Sequence, residues 1–153
     1  MGPCDGAPPE TGVTPLGASI PTFANGSIAP IAPDLACTLR TIRAFRDEEF
    51  DVIHIHEPIC PGPCQTALFL RSAPIVGTWH AAGGSKAYLT PGVRWLATRM
   101  NIRAAVSQDA RDMAHEALGG NYEVVFNGIE VNNFSRSAAT KSDGPTIAYV
   151  GRH

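Results

Sequence analysis

Charge is scarce in this chain. Asp, Glu, Lys and Arg make up 17% of its 153 residues, and the formal net charge is −2. A general nucleic-acid binder is strongly basic, so that class of function is not expected. Long apolar runs are missing too: none approaches the ~20 residues of a membrane-spanning helix. The first residues show no basic stretch followed by an apolar one, so no secretory leader is expected and a cytoplasmic location is the default. Cysteines number only four, Cys4, Cys37, Cys60 and Cys64. That is too sparse for the disulfide framework of a secreted protein of this length, and free thiols in a reducing compartment are the simpler expectation. No internal repeat is visible, and the length suits one domain of ordinary size.

What the chain does have is a series of short apolar runs that end in polar groups. Residues 50–58 read Phe-Asp-Val-Ile-His-Ile-His-Glu-Pro. Val52, Ile53 and Ile55 put apolar side chains on both faces, as in a strand of a parallel sheet covered by helices. His54 and His56 lie two apart and share a face. Polar groups at the carboxyl end of such a strand stand where open α/β sheets bind ligands. Residues 74–80 repeat the pattern and end in His80, followed by a small, flexible loop over 81–86. A third run, 102–107, leads into residues 108–118, where Ala110, Met113, Ala114, Ala117 and Leu118 fall at helical spacing. Ser107 suits the N-cap of that helix, and Gly119-Gly120 suits a left-handed ending. A fourth run, 122–126, breaks at Asn127-Gly128. Strands alternating with helices predict βαβ units, and so an α/β fold with a Rossmann-like parallel sheet flanked by helices.

The first 33 residues differ from the rest. They hold seven prolines and five glycines, a level typical of irregular sequence, and only residues 28–31 look able to pair locally. Residues 34–46 predict a helix that starts near Asp34. Its inward face is expected to be Leu35, Leu39, Ile42 and Phe45, with Arg40, Arg43 and Arg46 as a basic stripe beside it. Shorter helices are expected over 66–71 and 91–100, the second burying Val93, Leu96, Ala97 and Met100. Residues 135–144 are polar and linker-like. A new apolar run begins at Thr146, and the sequence stops at His153. A parallel strand needs a crossover of about a dozen residues to reach its next partner. The expectation is therefore a fragment, or a short member of a larger family.

In order and spacing, these segments resemble the N-terminal half of glycosyltransferase family 4 enzymes, and most of all the phosphatidylinositol α-mannosyltransferases. The residues that carry the resemblance are 51–58 (Asp-Val-Ile-His-Ile-His-Glu-Pro), Thr78-Trp79-His80, Ala105-Val106-Ser107 with Ala110-Arg111, Asn127-Gly128-Ile129-Glu130-Val131 with Phe134, and Tyr149-Val150-Gly151-Arg152. The resemblance covers roughly residues 28–153 and implies a partial GT-B fold, made of two Rossmann-like domains in the complete family member. Residues 1–33 would be a Pro/Gly-rich irregular segment and 34–135 the acceptor-side domain. Residues 136–145 would then be a linker, and 146–153 the first strand of a donor domain. The implied activity is transfer of a sugar with retention of configuration. The implied donor is a nucleotide sugar, GDP-mannose in the closest subfamily, with no further cofactor. The acceptor would be a lipid or a small molecule. The chain departs from the family pattern at Ile59, Ala81 and Phe126. The family's glycine-rich loop near the donor diphosphate and its C-terminal glutamate pair have no counterpart here, so the isolated chain is expected to be catalytically incomplete.

Site residues follow on two grounds. By resemblance, His80 is the catalytic candidate, at the cleft near the transferred sugar, and Gly151 and Arg152 are donor contacts. Independently, a sugar transition state resembles an oxocarbenium ion, with negative charge building on the departing phosphate. An imidazole at a strand end can hydrogen-bond either partner. His56 is the second cleft candidate, and Glu57 is either an acceptor-binding carboxylate or a helix-start charge. His54 is expected to be buried, with its ring nitrogens satisfied locally. Gly83 and Gly84 can offer backbone N–H groups to the donor diphosphate, and Lys86 can meet an anionic acceptor. The stripe of Arg40, Arg43 and Arg46 leaves open a peripheral contact at the inner face of the cell membrane; a solvated helix face is the plainer expectation. Two alternative readings stand beside the transferase: a non-catalytic remnant or binding module, and a small zinc protein using His54, His56, Cys60 and Cys64.

Overall fold

A computed structural model of the chain describes residues 1–7, 12–24, 27–84, 86–134, 144–145, 147 and 149. A two-stranded antiparallel hairpin comes first, β1 (Ile20–Ala24) and β2 (Ser27–Ile31). Helix α1 (Leu35–Asp47) follows, then β3 (Ile53–His56), α2 (Pro63–Leu70), β4 (Ile75–Trp79), a 3-10 turn at Lys86–Leu89, α3 (Val93–Ala97), β5 (Ile102–Ala105), α4 (Gln108–Leu118) and β6 (Glu123–Val124). The expected α/β architecture is present: β3 to β6 form one sheet, parallel at every pairing. Spatial order in this sheet equals chain order. Parallel crossovers are right-handed in nearly all proteins. Strands added always in the same direction therefore receive their connecting helices on the same face.

Burial agrees with that topology. Ile53, Ile55, Ile75, Trp79 and Ala105 project to the helical face and form the main core with Leu68, Leu96, Met100, Ala110, Ala114 and Leu118. The register pairs His54 with Val76 and with Ile102 beyond it, and puts His56 beside Thr78. These residues occupy the opposite face, where Val52 is 54% and Ile102 52% exposed. The expectation of helical cover on both faces is thus corrected: one face is packed and the other is largely open.

The helix ends follow local chemistry. The Asp34 carboxylate accepts from the Cys37 backbone N–H, and the Ser107 hydroxyl oxygen accepts from that of Ala110. Gly119 and Gly120 take φ of +72° and +86° after α4, the left-handed ending that glycine permits. Val93, Leu96, Ala97 and Met100 are buried as expected.

Two expectations change. The opening segment contains β1, which its proline and glycine content concealed. In α1, the buried residues are Cys37, Thr41 and Ala44, whereas Leu35, Leu39 and Ile42 are exposed. Small side chains allow this helix to sit close to the N-terminal segment, where Leu16, Ala32 and Cys37 form a second core. Thr41 tolerates burial because its hydroxyl donates to the Cys37 carbonyl one turn back, at 2.8 Å. The run beginning at Thr146 falls for the most part outside the described residues. Among the described residues, no helix is long and apolar enough to cross a membrane.

Candidate functional site at the strand ends

β3 and β4 lie side by side and point the same way, so their carboxyl ends deliver residues to one ledge. His56 is the last residue of β3, and His80 follows directly after β4. His56 Nδ1 and His80 Nε2 are 2.7 Å apart. One ring donates and the other accepts, so a single proton serves the contact. The two ring centroids lie 4.9 Å apart, and the His54 ring lies tilted by 37° beside His56 at 4.4 Å. His56 is exposed overall, but partial loss of solvent around its ring holds the imidazole below its ordinary value, and the neighbouring His54 and His80 rings add to that. Its neutral form is therefore favoured at neutral pH, which suits a group that exchanges hydrogen bonds with a substrate.

His54 is not buried as expected, but its ring is locally satisfied: Nε2 lies 2.8 Å from the Thr78 hydroxyl. Thr78 belongs to the site for that reason and was overlooked in the sequence. Its signal was present in the two-residue alternation, which places Thr78 on the same face as His80.

Glu57 prolongs the ladder by one residue, donating its N–H to the Thr78 carbonyl at 2.9 Å. It then turns with φ of +50°, and its carbonyl accepts from the Cys60 N–H at 2.8 Å. Its carboxylate oxygen Oε1 accepts from the backbone N–H groups of His80 at 2.7 Å and Ala81 at 3.0 Å. The chain therefore brings His56, Glu57 and His80 together at the ends of two adjacent strands.

Other candidates lie elsewhere. Gly84 and Lys86 line an open cavity of about 820 Å³ with Tyr88, Arg94, Met113 and Glu116, and none of the three ledge residues lines it. Gly83 is half-buried in the loop after His80. Gly151 and Arg152 lie outside the described residues.

The geometry does not fit the zinc constellation. Among the described residues, no group of three or more His, Cys, Asp or Glu side chains is placed to hold a metal ion. The Cys64 thiol donates to the His56 carbonyl at 3.4 Å. Although Cys64 stays partly accessible, burial pushes its thiol up to about 12, with smaller effects of the same sign from Cys60 and Glu57. The Cys60 thiol is also raised, by burial first and then by Glu57.

Comparison with known proteins gives the family. Residues 3–133 match the model of Glycosyltransferase Family 4. A phosphatidyl-myo-inositol mannosyltransferase of Propionibacterium freudenreichii subsp. shermanii is 33% identical over 94% of this chain and 41% of its own length. Proteins of the same name from Mycobacterium leprae and Mycobacterium tuberculosis are 34% and 32% identical, over 92% and 90% of this chain and 39% and 38% of their own lengths. The chain thus spans about two fifths of the curated relatives it matches.

Proposed function

The chain belongs to glycosyltransferase family 4, and we propose that it forms the acceptor-side part of a retaining enzyme that moves a sugar from a nucleotide donor to a lipid or small-molecule acceptor. The observation that carries this reading is the pair of imidazoles 2.7 Å apart at the ends of adjacent parallel strands. As the bond from sugar C1 to the donor phosphate breaks, positive charge grows on the sugar and negative charge on the departing phosphate. A new bond then joins C1 to the acceptor oxygen, whose proton passes to the departing phosphate. His80 can donate a hydrogen bond to that phosphate or to a sugar hydroxyl, with His56 fixing which nitrogen carries the proton. The names of the relatives support mannose as the sugar and phosphatidylinositol as the acceptor; GDP-mannose as the donor is part of the proposal and rests on the sequence resemblance alone. In this reading the donor diphosphate is met by Gly151 and Arg152.

A lipid acceptor requires approach to a membrane, and α1 has a suitable surface. Leu35 is 72% and Leu39 57% exposed. The exposed Arg40, Arg43 and Arg46 lie on the same helix, and the exposed hairpin residues Phe23 and Ile28 add further apolar area. Apolar side chains beside arginines favour peripheral contact with an anionic cytoplasmic leaflet.

Two measurements test the proposal. The chain should co-sediment with vesicles that contain phosphatidylinositol. A chimera in which residues 1–133 replace the matching part of the Mycobacterium leprae relative should transfer labelled mannose from GDP-mannose. In that chimera, His80→Ala should lower kcat about a hundredfold or more. A folded chimera without transfer, together with a chain that ignores the vesicles, sinks the reading. Vesicle binding without transfer would favour the binding module instead.

A further inference from the structure

We infer that Glu57 is a positioning residue: its carboxylate clamps the backbone at the end of β4 and so sets the His80 ring against His56. The functional half of this inference rests on the proposed role of His80 in sugar transfer; the clamp itself does not.

Three observations carry it. First, Glu57 holds φ at +50°, a left-handed conformation that is costly for any residue with a side chain and persists only where surrounding contacts impose it. Those contacts are the bonds from its N–H to the Thr78 carbonyl and from the Cys60 N–H to its carbonyl. A glycine would adopt this turn more easily but would have no carboxylate to offer.

Second, one oxygen of that carboxylate takes two consecutive backbone N–H groups, those of His80 and Ala81, across 23 and 24 residues of sequence. Hydrogen bonds to an ionised acceptor are roughly twice as strong as neutral ones. This pair of bonds ties the loop after β3 to the loop after β4 just where the ladder of the sheet ends. Neither of the ion pairs formed by the described residues involves Glu57.

Third, the His80 ring projects from the clamped backbone unit and meets His56 at 2.7 Å. Fixing the N–H of His80 and of the next residue leaves the ring little freedom beyond its own side-chain torsions. The two N–H groups are also no longer free to bind an external anion. A phosphate arriving at the ledge meets imidazole rather than bare backbone. Glu57 therefore acts through His80 rather than by touching the acceptor.

The test uses the 153-residue chain itself, labelled with nitrogen-15, in four forms: wild type, Glu57→Gln, Glu57→Gly and His80→Ala. Glutamine keeps an oxygen acceptor, and glycine relieves the left-handed backbone while removing the clamp. Amide exchange at His80 and Ala81 should be about ten- to a hundredfold faster in Glu57→Gly, the range expected for losing hydrogen bonds to a charged group. In Glu57→Gln it should stay much nearer the wild-type rate. Imidazole nitrogen spectra should show the shared proton of His56 and His80 in wild type and Glu57→Gln, and its loss in Glu57→Gly. Unchanged exchange and an unchanged ring pair in a folded Glu57→Gly chain would overturn the inference while leaving the sugar-transfer reading intact. The reverse case is separable: a His80→Ala chimera that transfers as fast as its parent would sink the role of His80 in transfer, while slow Ala81 exchange in the His80→Ala chain would leave the clamp standing.

Discussion

The two faces of the parallel sheet are built from alternate residues of the same four strands, yet they have little in common. The helical face carries Ile53, Ile55, Ile75, Trp79 and Ala105, all buried. The other face carries His54, His56, Val76, Thr78 and Ile102, most of them open to solvent. The difference comes from topology rather than composition. Strand order equals chain order, so right-handed crossovers stack every connecting helix on one side. His54 and His56 lie on the side that the crossovers leave free, where an imidazole can meet a ligand without a core residue being sacrificed.

Neighbouring residues give the severest test of that contrast. Trp79 is fully buried and packs edge-on against Tyr122, with ring centroids 5.0 Å apart. Trp79→Ala should cost about 3–5 kcal/mol, a large share of the roughly 5–15 kcal/mol that holds a domain together. His80→Ala, one residue on, should stay within about 0.5 kcal/mol because, among the described residues, its exposed ring is bonded to the ring of His56, which is exposed as well. Urea unfolding of the two variants measures both. Similar losses would mean that the histidine ledge is part of the core.

A matched pair sharpens the same point with one side-chain type. Ile75 is buried at the start of β4, and Ile102 is half-exposed at the start of β5 on the opposite face. Ile75→Ala should cost about 2–5 kcal/mol, and Ile102→Ala about 0.5 kcal/mol or less. An equal cost at both sites would show that the open face is covered in solution.

Much of this contrast could be read from the residues themselves. The apolar runs marked β3, β4 and β5, and the position of the histidines at two run ends predicted a shared ledge once the sheet was taken as parallel. The caps at Asp34 and Ser107 and the double glycine after α4 behave as their chemistry suggests. Other features depended on tertiary contacts that no local pattern encodes. Residues 20–24 form a strand because 27–31 lie alongside, despite prolines in both. Helix α1 buries its small side chains because closeness to the N-terminal segment outweighs the greater area of its leucines. The carboxylate of Glu57 reaches His80 only through an unusual backbone turn, which nothing in His-Glu-Pro announces. One-sided cover of the sheet required strand order, which periodicity does not reveal.

The smallest predicted effect is a pH dependence that belongs to the open face. The folded chain holds the His56 imidazole below its ordinary value, through burial and then through His54 and His80. In the unfolded chain the same ring titrates near ~6.5. Between those two values the unfolded state binds more protons, so the free energy of unfolding rises with pH. The contribution of His56 to stability is therefore complete above about pH 6.5 and is lost as pH falls through the lower folded value. Two carboxylates act in a separate window. Asp5, lowered by hydrogen bonds from Ser19, and Asp47, lowered by Arg46, lose their contributions only as pH falls below about 4. Urea midpoints taken between about pH 5 and about pH 7.5 should thus slope upward in the wild type and flatten in His56→Gln. The slope should be shallow, because His56 is exposed and water screens its neighbours. An identical slope in both proteins would show that the three histidine rings do not sense one another, and that the ledge is looser than the 2.7 Å contact describes.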